Sequence, residues 1–452
     1  MKTSFRILSP CGILGYGFPD TSFQNGLAMK PDAIVVDAGS TDAGPHKLGA
    51  GVAIVSRLAC KKDLRRLIRG GADLHIPVII GSAGGSGGRT HVLWTLAIID
   101  EIVKEERLER LKQVIVWGDI PKNAIREAMR RGDVVPLGSN VPPLTETALD
   151  ETTAVVAQMG IEPIMKALDT GADIIVCGRA YDPAPYAAVG VKNGFDLALS
   201  YHMGKVLECG ALCCNPGTTK DCMMGELYKD CFEVYPCNPR RKCDALSVAA
   251  HTFYEKEHPY LLHGPGIIQD LGDCTFENIA ENRVRVKGSR IMPSDGYWIK
   301  LEGARLKAYR TFVIAGVRDP LLISKIEEVE EAVKQSVKEQ YTEIDPSLYQ
   351  IAFYNYGKNG VMGDLEPLHD TPHELGVLFE VVAKSQDIAS AICASLRSTF
   401  MHYGYEGRKA TAGNLAFPFA PSDVEFGKVY EFSVYHLMKV ADPCAFFPVE
   451  VR

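Results

Sequence analysis

The sequence predicts an α/β fold: a parallel sheet flanked by helices, with a smaller C-terminal α+β domain of split βαβ type. Three observations carry this. Short runs that are apolar almost throughout and rich in β-branched residues, such as Asp32–Asp37 (DAIVVD) and Ala172–Cys177 (ADIIVC), alternate with helical patterns. Strands buried on both faces of a parallel sheet read this way. Each run ends in a polar or glycine-rich segment: DAGSTDAGPH, GSAGGSGGRTH, WGDIP and GRAYDPAP. After Asp244 the pattern changes to strand-like alternation over residues 283–317. The expected division is therefore residues 1–245, an α/β ligand-binding domain, and residues 246–452, an α+β domain.

Taken in order, residues 5–9 form a strand, followed by a glycine-bearing turn and a short helix near Ser22–Met29. The strand Asp32–Asp37 precedes a basic helix at Lys61–Arg69. Pro77–Gly81 is a strand that feeds a glycine-rich loop and then a helix over Thr90–Glu106. Val114–Gly118 is a strand, Lys122–Arg131 a helix, and Thr145–Thr147 lies in a proline-rich loop. Glu162–Leu168 is helical, and Pro183, after the Ala172–Cys177 strand, is placed to open a helix. The second domain reads as an acidic helix at Leu321–Gln340, strands at Tyr349–Tyr356 and Leu375–Lys384, and a helix from Asp387 to about Met401. Arg408–Phe419 and Val429–Leu437 both read as β.

A chain of 452 residues with 46% hydrophobic and 23% charged residues can bury sizeable cores. Its net charge of −7 and the lack of a basic stripe argue against a nucleic-acid partner. The longest apolar runs are of strand length, so no membrane span is expected. The opening MKTSFRILSPCG has no signal-peptide core, and a cytoplasmic location is the expectation. A homo-oligomer is expected as well. Seven of the thirteen cysteines lie between Cys209 and Cys243, but no C-x-x-C occurs and the intervals match no zinc or iron–sulfur pattern. They read first as reduced structural thiols, with a metal site or a redox or nucleophilic role as the alternatives, and no residue is assigned as a metal ligand.

The strand–loop–helix at Ile76–Val92 is the sharpest local feature. Gly81, Gly84, Gly85, Gly87 and Gly88 can turn successive N–H groups toward one point, and the following helix adds its positive end. The spacing is neither G-x-G-x-x-G nor a P-loop, so neither a nicotinamide or flavin fingerprint nor a Walker motif is present. The loop is an anion-site candidate, with a tight structural turn as the alternative. Ligands in open α/β sheets bind at the carboxyl ends of strands. That rule would gather Asp37, Ser40, Asp42, His46, Asp119, Arg179, Tyr181 and Asp182 around the loop. Arg179 would grip a carboxylate or phosphate, or pair with Asp182 or Asp173. Asp37, Asp42 and His46 would supply a general base, hold a divalent metal ion through oxygen, or serve turns and caps.

Residues 201–209 read as a helix on which His202, Lys205 and Cys209 share one face, available to a pocket or simply wet. In RKATAGNLAFPF, Arg408, Thr411 and Asn414 would reach the pocket from the second domain, or pack a β edge.

Together, DAGSTDAGP, IGSAGGSGG, CGRAYDPAP, YHMGKVLECGALCCNPG and RKATAGNLAFPFAPSD resemble the acyclic terpene utilisation (AtuA-like) family over most of the chain. A divergent branch is implied, since the terpene-cluster type has a GRVADA-like segment where this chain reads Gly178-Arg-Ala-Tyr-Asp-Pro183. The expected ligand is accordingly a small carboxylate or an acyl-CoA. The leading functional expectation is a lyase, hydratase or isomerase that moves a proton next to a carbonyl, with Asp37, Asp42, His46, Asp182, His202 and Cys209 as the catalytic candidates. Ser40, the loop glycines Gly84, Gly85, Gly87 and Gly88, Arg179, Tyr181, Lys205 and Asn414 would bind substrate. A non-catalytic binding subunit and a metal-dependent enzyme are the alternatives.

Overall fold

The computed structural model of the chain describes residues 2–41, 43–254, 258–409 and 413–452. They form two compact units, one running up to Arg305 together with Phe432–Arg452, the other spanning Leu306–Glu431. The change of pattern near residue 245 lies inside the first unit.

At the centre of the first unit, five strands run parallel in the order Phe5–Ser9, Ala33–Asp37, Val78–Gly81, Ile174–Cys177 and Gln113–Val116. Alternate side chains enter different cores, as the two-residue period of a strand requires. Val35, Ile79 and Ile175 pack with the helices Lys122–Arg131, Ile161–Asp169, Ala184–Lys192 and Leu197–Leu207. Ile34, Val36, Val78, Ile80 and Val176 pack with Arg57–Leu74 and Arg89–Glu105. Burial on both faces explains the near-continuous apolar runs. Each fully buried Val or Ile contributes roughly 1.5–3 kcal/mol.

The sheet is mixed, not parallel throughout. Met223–Leu227, Phe232–Pro236, Arg283–Lys287 and Thr275–Ala280 extend it antiparallel beyond Phe5–Ser9, and Val449–Val451 adds antiparallel to Gln113–Val116. The basic helix Arg57–Leu74 finds an acidic partner. Lys61 Nζ lies 2.9 Å from Glu101 and 2.6 Å from Glu105 on Arg89–Glu105, and Arg65 also pairs with Glu105. Exposed pairs like these each contribute at most about 1 kcal/mol.

In the second unit, Leu375–Ala383 lies antiparallel between Tyr349–Tyr356 and the Tyr309–Val317 stretch. Its inward residues Val377, Phe379 and Val381 meet Val333 and Val337 of helix Ile326–Gln340, and Ile392, Leu396 and Phe400 of helix Gln386–His402. Of the expected β segment Arg408–Phe419, Thr411 lies outside the described residues, and the described part makes only the bridge of Ala416 to Gly316. Among the described residues, no helix is long and apolar enough to cross a membrane.

Glu330 faces this second core. Its Oε2 accepts from Asn355 Nδ2 at 3.2 Å, while Oε1 has no partner among the described residues. Burial outweighs the Asn355 bond and Lys334, and pushes the carboxyl up to about 7. The folded state thus keeps a proton that the unfolded chain loses, so stability present below pH 4.5 is lost as the pH rises to about 7. Urea titrations of wild type and Glu330→Gln should diverge across that window by roughly 3 kcal/mol, the variant showing the flatter profile. Parallel profiles would contradict this.

Candidate functional site

The glycine loop is built by close approach of protein to protein. Residues 81–88 are all buried. Gly84, Gly85 and Gly87 take φ of 67°, 105° and 65°, values that favour glycine. A Cβ on Gly85 would lie 2.5 Å from the Ile54 side chain, and one on Gly87 would lie 2.2 Å from the backbone nitrogen of Arg179. Gly118 and Gly178 approach each other as tightly, so three strand ends meet backbone to backbone. Gly88 is extended and caps the helix Arg89–Glu105. The tight-turn alternative accounts for these glycines, because the space above Gly84, Gly85 and Gly87 is taken by His91, Ile54 and Arg179. His91, not anticipated, ties this corner together: its Nε2 lies 3.1 Å from the Lys47 carbonyl and 3.2 Å from that of Val52.

Arg179 leaves the Ile174–Cys177 strand with 1% of its surface exposed. Its Nε donates to Glu302 Oε2 at 2.8 Å, and Nη1 donates to Asp182 Oδ1 (3.0 Å), the Ala180 carbonyl (3.0 Å) and Ser82 Oγ (3.1 Å). The guanidinium therefore serves the protein. Asp182 is its expected partner, and Glu302 an unexpected one. Glu302 is fully buried and also lies 3.1 Å from Lys300 Nζ, which donates to Tyr435 Oη at 2.9 Å. Burial works against the Glu302 carboxylate, but Arg179 and Lys300 outweigh it and hold it below the usual range.

Asp37, at the end of Ala33–Asp37, is in the opposite condition. It is 5% exposed, and its Oδ1 has no hydrogen-bond partner among the described residues. Burial, followed by the repulsion of Asp182, pushes its carboxyl well above the ordinary range against Arg179 and the Gly39 amide. Glu208 adds to the rise. Lys205 and Glu208, both largely buried, form an ion pair one helical turn apart. Burial opposes the Lys205 charge, yet Glu208, Asp182 and Cys209 more than compensate and keep it protonated. Cys209 lies 3.3 Å from Tyr254 Oη, and Lys205 sits over the Tyr254 ring. Burial and Glu208 push the Cys209 thiol up to about 12, which disfavours a thiolate nucleophile. Burial raises the Tyr181 hydroxyl too.

Other expected members go elsewhere. Although His202 lies one turn from Lys205, its Nδ1 meets Ser289 Oγ at 2.8 Å and its Nε2 meets Thr252 Oγ1 at 3.0 Å, between the rings of Phe232 and Phe276. Both nitrogens are occupied by hydroxyls, so the shared face divides into two environments. Asn414 caps a turn, donating to the carbonyls of Phe400 and Tyr403 and accepting from Arg408. Asp119 Oδ1 accepts from the Arg89 amide at 3.0 Å, a helix-capping duty. Ser40 and His46 are half-buried, His46 opening the short helix His46–Ala50. Asp42 lies outside the described residues. Among the described residues Asp37 belongs to no cluster of three or more ligand-bearing side chains.

Glu302 and Lys300 were missed, yet a signal existed: IKLEGAR places a cation and a carboxylate two residues apart, on one face of a strand. Removing Glu302 leaves the buried guanidinium with Asp182, itself one-quarter exposed, as its one remaining ion-paired carboxylate among the described residues. Glu302→Ala should cost about 3–5 kcal/mol in chemical denaturation, and a loss below about 1 kcal/mol would contradict the pair's role.

Comparison with known proteins places this network in context. No curated protein and no solved structure matches the chain. The family model described as acyclic terpene utilisation family protein AtuA matches residues 64–231 and 238–430, which include Arg179, Asp182, Lys205, Glu208 and Glu302 but not Asp37. With most of its length matched, the chain belongs to the AtuA family.

Proposed function

We propose that this AtuA-family protein is a cytoplasmic catabolic enzyme that acts on a small organic acid or its CoA thioester by acid–base chemistry, as a lyase, hydratase or isomerase. The observation that carries the reading is the buried Asp37 carboxyl, with one oxygen unpartnered among the described residues and its proton affinity raised. A carboxyl in that condition holds its proton above the pH at which ordinary carboxylates release theirs, as a general acid or base requires. Arg179, fixed by Glu302 and Ser82, holds Asp182 and lends positive potential to the same corner. Asp182 is about one-quarter exposed and Lys205, Cys209 and Tyr254 are partly buried, so on this reading a substrate would approach Asp37 past these side chains. Lys205 is the cation nearest to a role in stabilising an enolate or carboxylate.

The alternative is a ligand-binding subunit without catalysis, which would need the glycine loop and Arg179 to hold an anion. Arg179 Nη1 and the space above the loop glycines are taken by protein, which counts against that reading.

Exchange of substrate carbon-bound hydrogen in D2O separates the two. With a panel of hydroxy, keto and unsaturated acids and acyl-CoAs, the wild type should exchange the proton next to the carbonyl of its ligand. Asp37→Asn should lose about 10²–10⁴-fold of that rate while keeping the ligand-induced rise in melting temperature. Equal exchange by both proteins would remove Asp37 from the chemistry, and a wild type that binds without exchange would support the subunit reading. The same variant carries a pH signature. Because folding raises the Asp37 carboxyl, its contribution to wild-type stability is lost as the pH rises above about 4. Asp37→Asn should therefore gain stability relative to wild type toward neutral pH, and the opposite slope would contradict the assignment.

A further inference from the structure

We propose that Cys213, Cys214 and Cys243 form a site for a thiophilic metal ion, with Met223 as a fourth, weaker donor. No C-x-x-C spacing announces it, since two ligands are adjacent in sequence and the third comes from far along the chain. The fold nevertheless brings the three together. Among the described residues this is the one group of three or more potential ligand side chains whose donor atoms converge, and all three Sγ atoms lie within 4.8 Å of one another. All three residues are buried. Met223, also buried, begins the strand Met223–Leu227, and its Sδ is 3.4 Å from Cys214 Sγ.

The backbone around these sulfurs is well tied. Asn215, next to Cys214, and Lys242, next to Cys243, exchange both backbone hydrogen bonds, at 2.6 and 3.1 Å. The Cys214 amide donates to the Ala211 carbonyl at 3.2 Å. Arg241 donates to the Pro216 carbonyl and to Asp221, so a guanidinium lies against the same loop. Beyond Cys243, Asp244 caps the helix Ala245–Thr252 with a reciprocal Asp244–Ser247 capping box. Cys243 is thus held at a helix entry, and Cys213 and Cys214 in a braced turn.

Metal–thiolate bonds of about 2.3 Å set sulfurs about 3.8–4.0 Å apart in tetrahedral or trigonal geometry. The three cysteine sulfurs, within 4.8 Å of one another, need to close by at most about 1 Å to reach that, and Met223 Sδ, 3.4 Å from Cys214 Sγ, needs to move away by about 0.5 Å. On binding, each Sγ–H gives its proton to solvent and each sulfur donates a pair to the ion, so no change of oxidation state is required. Three thiolates with a thioether, and neither imidazole nor carboxylate in the cluster, make a soft donor set. Such a set suits Cu(I) or Zn(II) and is wrong for Mg²⁺ or Ca²⁺. The thioether favours Cu(I) of the two.

The test uses the full chain, reduced, freed of metal by a chelator, then loaded separately with Cu(I) and Zn(II) and desalted. One equivalent of Cu(I) or of Zn(II) per chain should remain. X-ray absorption at that metal's edge should show a sulfur shell of three or four atoms near 2.3 Å. Cys444→Ser should bind as wild type does, and Cys214→Ser should bind at least tenfold more weakly. Should Cys214→Ser fail to fold, the absorption spectrum of the wild type decides alone. Retention of less than a tenth of an equivalent of either metal would overturn the site, as would a shell of nitrogen and oxygen. So would a disulfide between two of the three cysteines that survives reduction of the folded protein.

Discussion

The buried pair of Arg179 and Glu302 is the constraint on which the candidate site in the first unit depends. A guanidinium that is 1% exposed cannot be left unpaired, because breaking such a pair costs several kcal/mol. Glu302 meets that requirement from a strand distant in sequence, and Lys300 shares the carboxylate. The backbone of Arg179 in turn fits only because Gly87 and Gly118 lack side chains where they touch it. One residue therefore couples the ends of three parallel strands to the strand Tyr297–Val317. The glycine-rich loop is better understood as a consequence of that crowding than as a cradle.

Around this pair the electrostatics divide sharply. Glu302 is compensated twice over and stays ionised. Lys205 and Glu208 compensate each other. Asp37 receives only partial compensation, since Asp182 and Glu208 repel it and one of its oxygens has no hydrogen-bond partner among the described residues. Titratable groups whose environments push them apart are the usual mark of assigned acid and base roles. The same burial disfavours a thiolate at Cys209.

Much of the architecture was legible in the chain, for reasons specific to each element. The helix Lys122–Arg131 was recovered to the residue because its apolar face is narrow and Gly132, with φ of 78°, stops it. The strands Ala33–Asp37 and Ile174–Cys177 were legible because burial on both faces leaves no polar interruption. Met223–Leu227 was not, since glutamate and glycine interrupt its pattern and Glu226 is buried by pairing with Arg6 and Arg283. The site was legible in part. Strand-end reasoning found Asp37, Arg179 and Asp182, which act on one another electrostatically. It could not find Glu302, whose partner is set by tertiary pairing. Helical spacing put His202 beside Lys205, but spacing fixes a face and not its neighbours, and Ser289 and Thr252 claimed the imidazole. The three converging cysteines escaped for the same reason: their proximity depends on the Asn215–Lys242 pairing and on no local interval.

The central claim is that Asp37 holds a proton that ordinary carboxylates have released. A carboxyl-carbon NMR titration of aspartate-labelled protein addresses it directly, with the Asp37 resonance identified by its absence in Asp37→Asn. The account predicts a resonance that remains in the protonated position well above the usual carboxylate range. An Asp37 signal that titrates near pH 4, as an exposed aspartate does, would contradict it.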